Sequence, residues 1–240
     1  MDERTTAAGD VATGLVATKI DPPAPRDGLF SRPRLMARLG NQPTGRLTLV
    51  SAPAGWGKTS VLAEWGNSVG PAVRFAWVSL DANDNDPAQF WSYVVEALRA
   101  AVHPESTSIT PDLARLPGAV AIRDVVPALI NDFRAMSETT VLLLDDYHQI
   151  TATSIHEAVS YLIEHAPGSL HVVISSRADP PLQLGRLRAT GQLTEIRAAH
   201  LRFDEPEANR LLETTLSLDL EPTTGRLLWE RTEGWPAGLY

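Results

Sequence analysis

The sequence predicts an α/β fold in which a parallel β-sheet is covered by helices on both faces. Two observations lead to this prediction. Short segments that are apolar throughout, such as TVLLL at 140–144, alternate along the chain with segments of helical periodicity. Continuously apolar strands are typical of parallel sheets that are buried on both faces. Hydrophobic residues make up 43% of the 240 residues, so the chain can build a large core in one domain, or in one domain and part of a second.

The elements of the first half follow from local signals. Residues 19–28 are rich in proline and predict an extended lead-in. A short amphipathic helix over 32–39 comes next, followed by an apolar strand over 46–52. A helix over 58–66 and a strand over 73–80 then complete the first β-α-β succession.

A long helix is predicted to begin after the polar segment DANDND. Asp86 is a good N-cap, and Pro87 is a good first helical residue. The apolar residues of this helix fall on one face: Phe90, Trp91, Val94, Val95 and Leu98. Residues 104–118 are predicted to form a polar loop that contains prolines.

The second half continues the same alternation. The predicted elements are a helix at 120–136, a strand at 140–144, a helix at 155–165, a strand at 170–175, a short helix at 181–190 and a strand at 193–197. From Asp204 onward the pattern is purely helical and includes a helix over 224–231.

Three regions are therefore expected. Residues 1–22 are predicted to be a disordered tail without the pattern of a secretory signal. Residues 23–203 form the α/β core, and residues 204–240 begin a helical lid subdomain. The helical pattern is still running at Tyr240, so we expect the lid to be truncated and the chain to be a piece of a longer protein.

Composition excludes several functions. The chain has no cysteine, which excludes disulfides, thiolate metal sites and cysteine nucleophiles. Its net charge of −8 argues against broad contact with nucleic acid or an anionic membrane surface. No segment approaches the roughly 18 apolar residues of a membrane helix, and we expect a cytoplasmic location.

The segment SAPAGWGKTS resembles a phosphate-binding loop between a strand and a helix. Gly57, Lys58 and Thr59 supply the second half of the signature, but Ala52 stands where its first glycine belongs. Alanine is acceptable there if its φ is negative. Lys58 would contact the β- and γ-phosphates and Thr59 would bind Mg²⁺. The predicted nucleotide-binding residues are Pro53, Ala54, Gly55, Trp56, Gly57, Lys58, Thr59 and Ser60.

Two carboxylates follow the strand VLLL and can complete such a site. Asp145 can join the Mg²⁺ shell, and Asp146 can orient or deprotonate a water molecule. The alternative is that they serve as turn or cap residues, which are common after a buried strand. Together the two motifs predict a P-loop NTPase that binds ATP or ADP with Mg²⁺.

Other motifs do not meet the requirements of their chemistry. GNSVG at 66–70 has the spacing of a serine-hydrolase elbow but follows a helix instead of a strand. DANDND at 81–86 begins like a calcium loop, but Asp86 replaces the required glycine and Ser92 the last glutamate. The histidines have no metal-ligand spacing. The segment from Gly55 to Gly57 lacks the third glycine of a dinucleotide fingerprint.

Five longer segments carry a family resemblance that covers about residues 19–240. They occur in this order: SAPAGWGKTS, WVSLDANDNDPAQFW, VLLLDDYHQI, HVVISSRADPPLQLGRLRATGQLTEIRAAHLRF and RTEGWPAGL. The chain resembles the ATPase module of the large ATP-binding LuxR-type, maltose-regulon-activator-like transcriptional regulators. These belong to the AAA+-related signal-transduction ATPases with numerous domains, and the resemblance implies that Ala52 is a family trait.

The resemblance also implies further site residues. Arg177 matches the sensor arginine that is expected to contact the γ-phosphate, although a surface ion pair is the alternative. Pro236 matches the Gly-x-Pro element that packs on adenine, although it is also an ordinary helix-start proline. Arg32 stands where these ATPases place residues that flank the base. Asp146, Lys58 and Arg177 would form the catalytic set.

The function that the resemblance implies is a nucleotide-dependent switch. ADP would hold a closed form, and exchange for ATP, aided by a small-molecule inducer, would permit self-association. Slow hydrolysis would then reset the switch. Contacts with the inducer and with DNA would belong to regions absent from this chain. An ordinary P-loop enzyme such as a small-molecule kinase and a non-hydrolysing nucleotide-binding module remain the alternatives.

Overall fold

The computed structural model describes residues 15–23, 30–102, 119–215 and 221–240. Within these residues five parallel strands form one sheet in the order β2-β3-β4-β1-β5. The strands are β1 Leu47–Ser51, β2 Val73–Ser79, β3 Thr139–Asp145, β4 Leu170–Ser176 and β5 Leu193–Arg197. The structure confirms the predicted α/β class.

Helices and short turns connect and flank these strands. The helices are α1 Pro33–Leu39, α2 Lys58–Ser68, α3 Pro87–Ala101, α4 Ala119–Arg134, α5 Thr153–His165, α6 Leu184–Ala189, α7 Ala198–Leu201, α8 Glu205–Arg210, α9 Pro222–Thr232 and α10 Pro236–Leu239. Single 3₁₀ turns span Ala17–Lys19, Ala82–Asn85 and Tyr147–Gln149, and a π-helical turn at Leu211–Thr215 continues α8. None of the helices among the described residues has the length and apolar character needed to cross a membrane.

The sheet is buried on both faces, as continuously apolar strands require. Leu142 of β3 belongs to a buried cluster that includes Phe90 and other residues of α3, α4 and α5. The next residue, Leu143, belongs to a cluster on the opposite face with Trp65 of α2 and residues of α1. This alternation follows from the two-residue period of a strand.

The strand register places the carboxyl ends of neighbouring strands side by side. Strand β1 lies between β4 and β5, with Ser51 level with Ser176 on one side and Arg197 on the other. Strand β3 pairs with β4 on the side of β4 that faces away from β1. Because all five strands are parallel, the residues after Ser51, Asp145 and Ser176 leave the sheet at one edge.

The predicted strands differ from the observed ones by at most one residue at an end. The Asp86 cap is confirmed, since its carboxylate accepts a hydrogen bond of 2.9 Å from the Gln89 N–H. Helix α6 begins at Leu184 rather than at 181, because the chain after Pro180 makes two tight turns. The whole of the predicted loop 104–118 lies outside the described residues.

The chain before α1 contacts the core at the edge strand β2 and at α3. The Val16 N–H donates a hydrogen bond of 3.1 Å to the Tyr93 hydroxyl. The Lys19 ammonium forms ion pairs with Asp81, at 3.0 Å, and with the fully buried Asp84. Residues 15–20 of the predicted tail therefore lie against the core, whereas residues 1–14 are outside the described part of the chain.

A small separate cluster marks the beginning of the helical region. Phe203, Ala208, Leu211 and Leu239 are buried together, and Trp229 packs against them. The Trp229 indole N–H donates a hydrogen bond of 2.9 Å to the Phe203 carbonyl oxygen, which joins α9 to the segment between α7 and α8. The boundary at residue 204 between the core and the lid stays a prediction.

Candidate nucleotide-binding site

The loop between β1 and α2 has the backbone conformation that its glycines predict. Gly55 and Gly57 have φ of +78° and +73°, in the left-handed region that side-chain-bearing residues rarely adopt. Gly57 is the N-cap of α2, so the amides after it lie at a helix N-terminus. Ala52 is not among the described residues with positive φ. An alanine at the first-glycine position is therefore compatible with this loop.

Lys58 begins α2 and is only 7% exposed. Its ammonium donates a hydrogen bond of 3.1 Å to the Pro53 carbonyl oxygen across the loop. Burial lowers the pKa of Lys58, and the carboxylates of Asp146 and Asp145 oppose this decrease. The lysine thus places a sheltered cation inside the loop, where hydrogen bonds to an anion are strong.

A hydrogen bond joins the loop to the acidic end of β3. The Thr59 hydroxyl donates to a carboxylate oxygen of Asp145 at 2.8 Å. Asp145 is 4% exposed, and its other oxygen accepts a bond of 3.0 Å from the Asp146 N–H. Burial raises the pKa of Asp145, while the hydrogen bond from Thr59 opposes the rise.

The Thr59 hydroxyl and the Asp145 carboxylate are two oxygen ligands. Such a pair suits Mg²⁺ better than a metal ion that takes all of its ligands from the protein. Mg²⁺ prefers oxygen ligands and commonly takes one or two from the protein and the rest from phosphates and water. The described residues contain no group of three or more His, Cys, Asp or Glu side chains that could hold a metal ion. Thr59 and Asp145 would hold Mg²⁺ together with the phosphates of a nucleotide.

Asp146 and Arg177 flank the buried pair. Asp146 has a left-handed φ of 55°, which is uncommon for a residue with a side chain, and its side chain is 43% exposed. Arg177 directly follows β4 and is exposed; its charge adds to the lowering of the pKa of Lys58. The structure therefore brings both predicted residues to the edge that carries the loop.

The end of the chain contacts the loop directly. The Ala237 N–H donates a hydrogen bond of 3.0 Å to the Gly55 carbonyl oxygen. A side chain at Gly55 would lie 2.9 Å from both Ala237 and the ring of Trp235, so a glycine is needed there. Pro236, which stands between Trp235 and Ala237 in the sequence, is the first residue of α10 and is buried. Its predicted contact with adenine stays a prediction.

Arg32 is occupied by contacts within the protein. Its guanidinium donates to the carbonyl oxygens of Leu201, at 2.6 Å, and Arg202, at 2.9 Å. It also forms a buried ion pair of 2.9 Å with Glu207 and lies 4.1 Å from the centre of the Phe203 ring. Arg32 thus joins the start of α1 to α7 and α8, and its role beside the base stays a prediction.

Four other residues of the predicted nucleotide-binding set lie in or next to the loop between β1 and α2. Pro53 and Ala54 are exposed in the turn, whereas Trp56 and Ser60 are half-buried. Trp56 packs against the cluster of α1 and α2. The roles predicted for these four residues in binding a nucleotide stay predictions.

Two residues that the sequence did not single out lie at the loop that follows β3, residues 146–152, which we call the acidic loop. Asn85 accepts hydrogen bonds from the Thr151 N–H, at 2.6 Å, and the Ala152 N–H, and donates one to the Gln149 carbonyl oxygen. His148 lies with its Nδ1 3.6 Å from an Asp146 carboxylate oxygen. Burial lowers the pKa of His148, and Asp146 opposes the decrease. The sequence signal that could have pointed to Asn85 is the segment DANDND, which contains it and which we interpret as a loop and helix cap.

The five-stranded parallel sheet, the glycine loop with its buried lysine and the Thr59–Asp145 contact define a P-loop NTPase domain. Residues 32–175 match the AAA ATPase domain family. The chain belongs to this family, which implies a nucleotide as its ligand, usually with Mg²⁺.

The chain is also similar to longer regulators. It is 32% identical over 227 residues to the HTH-type transcriptional regulator MalT of Cronobacter sakazakii, covering 94% of this chain and 24% of that protein. It is 34% identical over 230 residues to MalT of Serratia proteamaculans, with the same coverage. The chain therefore spans about a quarter of the length of these curated relatives.

One solved structure shares the fold. It is a Signal Transduction ATPase with Numerous Domains with a tetratricopeptide repeat sensor, from Pyrococcus horikoshii. The TM-score is 0.52 at 14% identity, and the match covers 86% of this chain and 28% of that one.

Proposed function

We propose that this chain is the ATP- and ADP-binding regulatory module of a LuxR-type transcriptional regulator, in which slow, Mg²⁺-dependent ATP hydrolysis controls self-association. The observation that carries the proposal is the 2.8 Å hydrogen bond between Thr59 and Asp145. It joins the phosphate loop to the acidic strand end beside the buried Lys58. These are the two halves that a nucleoside triphosphate site requires.

Each residue of the site has a defined task in this proposal. The amides after Gly57 and the ammonium of Lys58 bind the phosphates. Thr59 and Asp145 hold Mg²⁺, which neutralises charge on the phosphate oxygens when it is bound. Arg177 stabilises the γ-phosphate from the end of β4.

The task of Asp146 is to orient the water that attacks the γ-phosphorus. The water oxygen forms a bond to phosphorus as the bond to the β-phosphate oxygen breaks. ADP and inorganic phosphate are the products, and the proton of the water leaves to solvent. The exposed carboxylate of Asp146 can accept this proton on its way.

A regulatory role is supported by the contact between the loop and the end of the chain. The hydrogen bond from Ala237 to Gly55 joins α10, at the end of the predicted lid region, to the residues that would bind the phosphates. A change in the nucleotide would therefore change the contacts of α10. The similarity to regulators about four times as long supports the expectation that inducer and DNA contacts lie in other regions and that the protein works in the cytoplasm.

The test combines binding and turnover on the purified chain. Isothermal titration calorimetry with ATP and ADP should give saturable binding that requires Lys58. Phosphate release should be Mg²⁺-dependent and slower than about 1 s⁻¹, the lower end of ordinary enzymes. Rapid phosphate transfer to a metabolite would instead indicate a kinase, and binding without phosphate release would indicate a non-hydrolysing module.

A further inference from the structure

We propose that His148 is a positioning residue that fixes the carboxylate of Asp146 in the orientation needed to hold the attacking water. The proposal rests on the proposed function, because it deepens the role given there to Asp146. It assigns a task to a residue that lies outside the phosphate loop, the Mg²⁺ ligands and the sensor arginine.

The placement of the two side chains is the first observation. His148 Nδ1 lies 3.6 Å from Asp146 Oδ1, just beyond direct hydrogen-bond length. A small rotation of either side chain would bring the ring and the carboxylate into contact. The Asp146 side chain itself is 43% exposed, so the surrounding protein leaves it room to change rotamer.

The second observation is that the imidazole has hydrogen-bonding capacity to spare. Both ring nitrogens of His148 are buried and make no hydrogen bond to another group in the part of the chain that the structure describes. Burying such a nitrogen without a partner has a free-energy cost. Contact with the neighbouring carboxylate removes part of this cost and at the same time restrains Asp146.

The third observation is that the turn carrying His148 is held on both sides. The Tyr147 hydroxyl, in an almost fully buried side chain, shares a 2.9 Å hydrogen bond with His156 Nδ1. On the other side, Asn85 donates a bond of 2.9 Å to the Gln149 carbonyl oxygen. The backbone of His148 is therefore fixed, as a residue that orients a neighbour requires.

Asp146 needs such a partner more than an ordinary aspartate does. Its backbone is fixed by the left-handed conformation and by the bond of its N–H to Asp145. Within the described residues its carboxylate accepts no comparable hydrogen bond, and it lies near Lys58 and Arg177. Without restraint, the carboxylate can turn toward these cations and away from the water.

The experiment compares His148→Leu, which removes the ring nitrogens, with His148→Gln, whose amide can still donate a hydrogen bond. We measure ATP affinity by calorimetry, single-turnover hydrolysis by rapid quench, and the melting temperature. His148→Leu should hydrolyse ATP about tenfold more slowly, with ATP affinity and melting temperature close to those of the parent. His148→Gln should recover most of the rate, and the control His165→Ala, at the exposed end of α5, should keep it.

A double-mutant cycle tests whether His148 acts through Asp146. The variant Asp146→Asn combined with His148→Leu should be no slower than Asp146→Asn alone, because the restrained carboxylate is already gone. A parental rate in His148→Leu, equal losses in the Leu and Gln variants, or additive losses in the cycle would each overturn the proposal. A parent that binds ATP but releases no phosphate would overturn the proposed hydrolysis as well, so the two failures are distinguishable.

Discussion

Replacing Lys58 with alanine removes the one cation that lies inside the phosphate loop in the described part of the chain. Its ammonium is largely buried and now bonds the Pro53 carbonyl oxygen. Hydrogen bonds between charged groups contribute about 1.5–3 kcal/mol each. If the lysine contacts two phosphate groups, we expect the binding free energy of ATP to weaken by about 3 kcal/mol, because the mutant loop compensates for part of the lost contacts. The Kd for ATP should rise roughly 100-fold.

The same change should have little effect on the stability of the nucleotide-free protein. The bond to Pro53 is lost, but the cost of burying the ammonium, which also lowers its pKa, is removed. We expect these two terms to offset each other within about 1 kcal/mol. Calorimetry for the Kd and thermal unfolding without nucleotide measure the two effects separately.

The second lysine of the chain provides a matched control. Lys19 pairs with Asp81 and with the fully buried Asp84. Lys19→Ala leaves that carboxylate unpaired, so the free energy of unfolding should fall by about 3 kcal/mol while ATP affinity stays at the parental value. Parental affinity in Lys58→Ala, or an equal loss in both variants, would refute the assignment of Lys58 to the phosphates.

Three further changes test other parts of the site and the core. Thr59→Val removes the donor to Asp145; the gain in ATP affinity on adding Mg²⁺ should fall about tenfold, whereas affinity measured in EDTA should change little. Asn85→Ala removes the bonds to the acidic loop; it should lower the free energy of unfolding by about 2 kcal/mol, as measured in urea, and an unchanged midpoint would contradict this role. Burial lowers the pKa of His171 to about 4, below the value of about 6.5 in an unfolded chain. The unfolded state therefore binds more protons in this window, and stability should decrease by up to about 3 kcal/mol as the pH falls from 6.5 to 4. Urea titrations of parent and His171→Gln across this range should give a shallower decrease in the variant; parallel curves would show that His171 does not carry the effect.

The parts of the site that could be predicted are contiguous in the sequence. The phosphate loop lies between an apolar strand and a helix, so ten adjacent letters define its local structure. Asp145 follows a second apolar strand, and parallel strands must end at a common edge. These two local patterns were sufficient to place Thr59 and Asp145 near each other.

The parts that could not be predicted depend on distant partners. Arg32 bonds Leu201 and Glu207, which lie 169 and 175 positions away in the chain. Asn85 bonds residues 64 to 67 positions away. Local periodicity carries no information about such pairs, so the contacts of Arg32 and Asn85 could not be predicted from the sequence.

The left-handed backbone of Asp146 was equally inaccessible. Positive φ is expected mainly at glycine and stays uncommon at aspartate, even though aspartate is enriched there relative to most other residues. The conformation becomes understandable from the bond between the Asp146 N–H and the carboxylate of Asp145. A residue whose backbone is set by its neighbour's side chain cannot be recognised from propensity alone.

A crystal structure of the chain with ADP and Mg²⁺ tests the central claim most directly. We expect the two phosphates to lie against the main-chain amides of residues 55–59 and the ammonium of Lys58, with the metal beside Thr59 and Asp145. A nucleotide bound at another surface, with the Lys58–Pro53 and Thr59–Asp145 hydrogen bonds intact, would contradict the account.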